Sequence, residues 1–213
     1  LELIKKIDEY IKENNLKLIL DAAHMSGTRV DGVVPGTWEG VDVTVYSYQA
    51  VKNLPTADSG MICFANGKYD EICRKLTWLG INKDTYARSG EKGTYKWKYE
   101  VEYLGYKDHG NSIMAAIGLV ELRYLDEGNA YRRVKYYNEL LEGNKNIKIV
   151  RAPHEDECSF HIYEIEVDDR EGLLEFLQKN DIYPGVHYRD NTEYKMYSYD
   201  HGKCPNAHRV SQR

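Results

Sequence analysis

Phenylalanine is scarce in this sequence of 213 residues, at three against nineteen tyrosines, and proline and cysteine are scarce too, at five and four. The cysteines, Cys63, Cys73, Cys158 and Cys204, stand far apart with no Cys-x-x-Cys pair. That excludes a disulfide framework or a zinc site built on such spacing, no metal is expected, and a reducing, cytoplasmic setting fits. No apolar run approaches the roughly 20 residues that a membrane-spanning helix needs, so a soluble protein without a membrane partner is expected. Positive charge is not in excess: 29 Lys and Arg face 34 Asp and Glu, a formal net charge of -5. Without a basic stripe to follow a phosphate backbone, nucleic acid is not an expected partner. What is present is an ordinary globular composition, 42% hydrophobic and 30% charged. The length suffices for one large or two small domains with cores of their own. The tyrosines suit half-buried positions, where the ring is covered and the hydroxyl stays wet.

The chain opens on Leu1, Ile4, Ile7, Tyr10 and Ile11, spaced as one face of a helix with no capping residue before them. Lys17-Leu18-Ile19-Leu20-Asp21 follows and reads as a buried parallel strand, the second half of a β-α-β unit. At the other end, Cys204-Pro205 begins a helix that reaches Arg213 without a stop signal. An internal piece of a longer protein is expected. Two further strand patterns, Val41 to Tyr46 and Gly60 to Phe64, alternate with loops and predict an α/β layer architecture. A helix is predicted over Tyr69 to Leu79. Asn82 to Tyr106 is polar, rich in Gly, Lys and Tyr and without period, so a functional or subunit-contacting loop is expected there. Asn111 to Leu141 carries an apolar stripe that includes Ile113, Ala116, Ile117, Val120 and Leu125. It predicts one long or bent helix with weak points at Gly118 and Gly128. Strands over Ile147 to Val150, Phe160 to Val167 and Tyr183 to Tyr188, with a helix over Arg170 to Lys179, predict a smaller α+β domain with one solvated sheet face. The expected division is a large domain over residues 1–109, a connecting helix over 110–143 and a small α+β domain over 144–213.

Two strand ends carry the chemistry. Asp21 finishes an apolar strand and is followed by Ala22-Ala23-His24. In open α/β sheets, ligands bind at the carboxyl ends of strands. The second strand runs out into Ser47-Tyr48-Gln49-Ala50-Val51-Lys52-Asn53, bringing a hydroxyl and an ammonium toward the same sheet edge. A lysine near desolvating walls and a second cationic group gives up its proton more readily and becomes a nucleophile toward carbonyl groups. A carboxylate facing a pyridine nitrogen would keep that nitrogen protonated and strengthen an electron sink.

These residues stand in an ordered set of motifs. Asp21-Ala22-Ala23-His24-Met25-Ser26-Gly27-Thr28 comes first, then Asp42-Val43-Thr44-Val45-Tyr46-Ser47-Tyr48-Gln49-Ala50-Val51-Lys52-Asn53-Leu54-Pro55-Thr56, then Asp58-Ser59-Gly60-Met61. Gly105-Tyr106-Lys107, Asn111-Ser112-Ile113-Met114-Ala115-Ala116-Ile117-Gly118-Leu119, Gly185-Val186-His187-Tyr188 and Cys204-Pro205 complete the series. In order and approximate spacing the set resembles the DegT/DnrJ/EryC1/StrS family of pyridoxal-phosphate sugar aminotransferases, over nearly the whole chain. The resemblance implies a partial fold-type I large domain, mostly parallel sheet with helices, followed by a smaller α+β domain. It also implies pyridoxal 5'-phosphate as cofactor and a homodimer with sites at the subunit interface. The implied substrates are a keto-sugar nucleotide and an amino acid donor, L-glutamate, in amino-sugar or polysaccharide biosynthesis.

Position by position, the resemblance implies that Lys52 holds the cofactor covalently and then moves the proton between substrate and cofactor carbons. Asp21 would face the pyridine nitrogen, His24 would stack over the ring, and Ser47 would lie near the phosphate. Lys107 stands where members often carry an Asn that reaches the cofactor phosphate of the neighbouring subunit, and a lysine would do so as a point charge. His187 and Tyr188 fall in the His-Tyr segment at the substrate end. Ser59 stands where a second glycine is common. One branch of the family replaces the lysine by histidine and performs deoxygenation; Lys52 argues against that branch. The family's amino-terminal part, with its phosphate-binding turn and much of the sugar-nucleotide pocket, has no counterpart here, so weak or absent turnover is expected of these residues alone.

Plainer roles stand beside these. Asp21 could cap a following helix, Ser47 could cap a loop, His24 could be a satisfied half-buried histidine, and His187 and Tyr188 ordinary strand residues. His154 with His161, and His201 with His208, lack metal-ligand spacing and read as structural. Tyr95-Lys96-Trp97-Lys98-Tyr99 mixes bases with aromatics as a single-strand binder would, but on an acidic chain. The rival functions are a non-catalytic ligand-binding or dimerisation module of the same fold, and an aminotransferase acting on a keto-cyclitol.

Overall fold

A computed structural model of the chain describes residues 2–82, 99–126, 129–151 and 157–213. Most of the loop expected over Asn82 to Tyr106, together with Gly128, His154 and the stretch 95–98, lies outside the described residues. The apolar spacing at the start forms helix α1, Glu2–Glu13, braced by an ion pair between Lys12 and Asp8. It ends where Asn15 takes a φ of 50°, a left-handed conformation that asparagine tolerates, while the Leu16 N–H returns to the Ile11 carbonyl at 2.9 Å.

Strands β1 (Ile19–Asp21), β2 (Val43–Ser47) and β3 (Gly60–Phe64) form one sheet in the order β1-β2-β3. β1 and β2 run parallel with Asp21 opposite Val45, whereas β2 and β3 are antiparallel with Ser47 opposite Gly60. The apolar run of β1 is not buried as its composition suggests. Among the described residues it pairs on one edge alone, and Ile19 is 65% exposed. The crossover from β1 to β2 contains a 3-10 turn at Pro35–Thr37 and supplies much of the local core, with Pro35, Trp38 and Val41 buried alongside Ala22 and Thr44. Two of its polar groups are matched: the Trp38 indole N–H donates to the Val33 carbonyl at 3.2 Å, and the Gly36 N–H donates to the Tyr46 hydroxyl at 2.9 Å.

Asp42 fixes the register at the head of β2. Its carboxylate accepts the Leu18 N–H at 3.0 Å and the Lys17 ammonium at 2.9 Å, and these two bonds hold it below the usual carboxylate range. The folded carboxyl therefore takes up its proton at lower pH than the unfolded one. The stability it contributes is complete above the ordinary value of 3.8 and is lost as pH falls through the depressed folded value. Asp42→Ala is expected to lower unfolding free energy by about 1–3 kcal/mol at neutral pH, with the difference from wild type shrinking in acid, as urea melts at several pH values would record.

Gly60 opens β3 where no side chain fits, because an added Cβ would stand 2.6 Å from the Tyr46 carbonyl oxygen. Gly60→Ala is expected to cost about 1–3 kcal/mol in a thermal or urea melt, since the obstacle is ladder backbone rather than a movable side chain.

Helix α2, Gly67–Thr77, starts on the Asn66 side chain, which accepts the Lys68 N–H at 3.0 Å, and lies two residues before the predicted span. The long helical pattern resolves into α3, Ser112–Asp126, and α4, Asn129–Leu141. Asn111 caps α3 by accepting the N–H groups of Ile113 and Met114 at 3.1 and 3.0 Å. α3 continues through Gly118 without interruption; this glycine marks a close approach, since a Cβ there would lie 3.1 Å from Thr56 Cγ2.

Two compact units result: Leu1–Val134 with His154–His161, and Lys135–Pro153 with Ile162–Arg213. In the second, β4 (Lys148–Ile149) pairs antiparallel with β5 (Ile165–Glu166), and α5 (Arg170–Lys179) begins on the Asp169 side chain. Helix α6, Pro205–Ser211, follows 3-10 turns at Asn191–Glu193 and Lys195–Asp200. The strand expected from Phe160 is shorter than its alternation suggests, because Phe160 adopts a φ of 47° and turns the chain before any ladder begins. Tyr183 to Tyr188 forms no strand either: Pro184 has no N–H to donate and Gly185 has no side chain to pack. Among the described residues no helix is long and apolar enough to cross a membrane.

Candidate functional site

Asp21 is the last residue of β1, and its register opposite Val45 sets it two residues before the end of the neighbouring parallel strand. Its side chain is exposed, and Oδ1 accepts the Ala23 N–H at 2.9 Å, an Asx turn that bends the chain away from the sheet edge. Ser47 ends β2, half-buried, and its Oγ accepts the Gln49 N–H at the long distance of 3.4 Å. Both local bonds are those expected of turn residues, and both leave capacity: the second carboxylate oxygen of Asp21 and the hydroxyl hydrogen of Ser47.

Lys52 lies half-buried in the loop between β2 and β3, its N–H donating to the Gln49 carbonyl at 2.9 Å. The loop is closed at its neck. Tyr48 N–H donates to the Ser59 carbonyl at 2.7 Å, Thr56 N–H and Oγ1 both donate to the Tyr48 carbonyl, and the Thr56 and Ser59 hydroxyls bond one another. Ser59 thus holds the neck through a side chain that the usual glycine lacks. The Lys52 ammonium makes no ion pair among the described residues.

His24 stacks on His161, with ring centroids 4.0 Å apart and planes 26° from parallel. One imidazole face is therefore covered by a histidine 137 positions along the chain. Lys107 stands elsewhere in the first unit, in a β-bridge with Trp78 just beyond α2; its ammonium sits 3.4 Å from the indole centroid, and His109 meets the same indole edge-on at 4.1 Å. His187 and Tyr188 belong to the second unit, exposed, with their own rings packed edge-to-face at 4.5 Å. Asp21, His24, Ser47 and Lys52 thus all belong to the first unit, Asp21 and Ser47 at the ends of the neighbouring strands β1 and β2 and His24 and Lys52 in the segments that leave them.

Sequence reasoning passed over the groups that hold these loops. Ser159 and Thr28 are both buried, their hydroxyls 2.8 Å apart, and the Asn53 amide donates to the Ser159 carbonyl at 2.7 Å. Thr28 lay within a quoted motif, but Ser159 is 131 residues further on and its sequence context reads as the edge of a strand. In the second unit Asp190, Glu193 and His208 bring ligand atoms within 4.8 Å of one another. Each acid is already engaged, Asp190 by the Thr192 N–H and hydroxyl at 2.9 Å and Glu193 by Arg189 at 2.8 Å, so the trio reads as a polar contact between α6 and the Asn191–Glu193 turn.

Compared with known protein families, residues 3–213 match the DegT/DnrJ/EryC1/StrS aminotransferase family. The uncharacterized protein MJ1066 of Methanocaldococcus jannaschii is 29% identical, over 98% of this chain and 57% of its own length. Among solved structures, the aminotransferase TlmJ of Streptoalloteichus hindustanus superposes with a TM-score of 0.76 at 27% identity, over 96% of this chain and 53% of TlmJ. The sugar aminotransferase CalS13 of Micromonospora echinospora does so with a TM-score of 0.74 at 26% identity, over 97% and 55%. The chain therefore spans a little over half the length of the relatives it matches.

Proposed function

This chain belongs to the DegT/DnrJ/EryC1/StrS aminotransferase family, whose cofactor is pyridoxal 5'-phosphate, and on that premise we propose that the complete protein transfers an amino group from L-glutamate to a keto-sugar nucleotide. The observation that carries this reading is that Asp21 ends β1 and that the loop leaving the carboxyl end of its parallel neighbour β2 carries Lys52. The donor set suits the cofactor. Asp21 keeps one carboxylate oxygen beyond its turn bond, Ser47 keeps a hydroxyl hydrogen, and Lys52 is not tied to an acid among the described residues.

Bound pyridoxal 5'-phosphate supplies a carbonyl carbon that condenses with amines and a pyridinium ring that accepts the electron pair left at the substrate carbon. The Asp21 carboxylate holds a proton on the ring nitrogen, since a negative charge at hydrogen-bond distance favours the charged form of a base. Lys52 Nζ would hold the cofactor through its carbonyl carbon, and as a free amine it would take the α proton of the donor and return one to the acceptor. The Ser47 hydroxyl would donate to the phosphate, and His24 would lie against the ring. Lys107 would serve a phosphate as a point charge on leaving Trp78, and His187 with Tyr188 would contact substrate. The protein acts as a homodimer in the cytoplasm.

Incubating the complete protein with the cofactor and L-glutamate tests the reading. Stoichiometric 2-oxoglutarate and loss of the cofactor's carbonyl-state absorption are expected, followed by recovery on adding a keto-sugar nucleotide. Recovery with keto-cyclitols alone would move the substrate class, and no 2-oxoglutarate at all would refute transamination.

A further inference from the structure

The loop that carries Lys52 and the loop that carries Asp21 and His24 come from different strands, and a third segment joins them. Glu157 to His161 reaches into the first unit and bonds to both. On the Asp21 side, the Glu157 carbonyl accepts the Arg29 N–H at 2.9 Å, Ser159 N–H donates to Thr28 Oγ1 at 3.2 Å, and Ser159 Oγ donates to the His24 carbonyl at 3.4 Å. With the hydroxyl of Thr28 donating to Ser159 Oγ at 2.8 Å, every donor in this circuit has an acceptor. His161 completes that side by stacking on His24. On the Lys52 side, the strap makes a hydrogen bond through the residue next to the lysine, where Asn53 Nδ2 donates to the Ser159 carbonyl at 2.7 Å.

The chain thus turns at Phe160, with a φ of 47°, so that the backbone of Ser159 serves two loops instead of a strand ladder. Ser159 and Thr28 are each 8% exposed, so the circuit is shielded from competing water and its bonds count for more than surface ones.

We propose that Asn53 and Ser159 are positioning residues that fix where Lys52 stands relative to Asp21 and His24, Asn53 by its amide bond to the strap and Ser159 by its circuit with Thr28 and His24. The proposal rests on the reading above that Lys52 holds the cofactor. Lys52 sits in a loop whose neck is fixed but whose far side has only this side-chain tether among the bonds described above, and an ångström of misplacement at a nucleophile is expensive in rate.

The test follows attachment of pyridoxal 5'-phosphate to the complete protein by its absorption change, over a range of pH, with borohydride reduction and peptide mapping to identify the lysine. Asn53→Asp is nearly isosteric and replaces the amide donor by an acceptor facing the Ser159 carbonyl. It is expected to slow attachment at Lys52 by about tenfold or more and to shift the pH profile, whereas a purely structural role would lower the amplitude with the folded fraction and leave rate and profile unchanged. Asn53→Gln, which retains the amide, is expected to recover part of the rate. Should Asn53→Asp fail to fold, Thr28→Val removes the hydroxyl from the circuit at a distance and is expected to slow attachment several-fold. Wild-type rate and profile in the folded variant would overturn the proposal alone. Absence of any adduct on Lys52 in the wild-type protein would overturn the functional reading, and this proposal with it.

Discussion

Lys52→Ala in the complete protein is expected to lose covalent attachment of pyridoxal 5'-phosphate and to lower turnover roughly 1,000-fold or more, while the cofactor still binds through its ring and phosphate. The expectation follows from the number of tasks proposed for one amine: it would hold the cofactor and, once free, move a proton at the substrate carbon. Among the described residues at these strand ends, Ser47 offers a hydroxyl whose oxygen is engaged in a turn, and Asp21 an acid that accepts the Ala23 N–H; neither is an amine. Lys52→Arg discriminates attachment from charge, because a guanidinium keeps the positive charge but stays protonated and cannot condense. It is expected to be as inactive as the alanine variant. Absorption spectra of the bound cofactor and single-turnover assays with L-glutamate check both variants; turnover within tenfold of wild type in either would remove Lys52 from the chemistry.

Asp21→Asn is the second large effect, a fall of roughly 100-fold or more in turnover with little change in stability. The asparagine oxygen can still accept the Ala23 N–H, so the turn that Asp21 closes at 2.9 Å survives the substitution. What is lost is the negative charge proposed to hold a proton on the ring nitrogen. Because Asp21 is exposed at the strand end, no buried ion pair is broken. Asp21→Ala removes both functions and is expected to lose stability as well as turnover. Comparing the two in thermal melts and in glutamate half-reactions separates the turn from the charge.

The strand ends were legible because local pattern decides them. An apolar run closed by Asp21 and a second closed by Ser47 could be placed on one sheet edge from periodicity and from the rule that ligands sit at carboxyl ends, and β1 and β2 are parallel. Burial was less legible. The same apolar run suggested a covered strand, yet Ile19 is 65% exposed, because covering depends on neighbours that a strand's own sequence does not encode. The strap escaped for a related reason. Alternation from Phe160 onward is the period of a strand, but Phe160 at 47° and the capture of Ser159 by Asn53 and Thr28 use that backbone elsewhere, and a contact across 131 residues leaves no local signal. Gly118 shows the opposite error. Read as a helix weak point, it is the place where α3 comes against Thr56 beside the lysine loop. The motif resemblance suggested roles for His187, Tyr188 and Lys107 that strand periodicity could not, and Lys107 lies on Trp78, so the proposed part in binding a phosphate would require it to leave the indole.

The central claim is that Lys52, on the loop beside Asp21, is the residue that takes the cofactor. Borohydride reduction of the complete protein after incubation with pyridoxal 5'-phosphate, followed by peptide mapping, tests it most directly. The account predicts one stoichiometric pyridoxyl group, on Lys52. A label confined to other lysines, or spread across surface lysines with Lys52 unmodified, would contradict it.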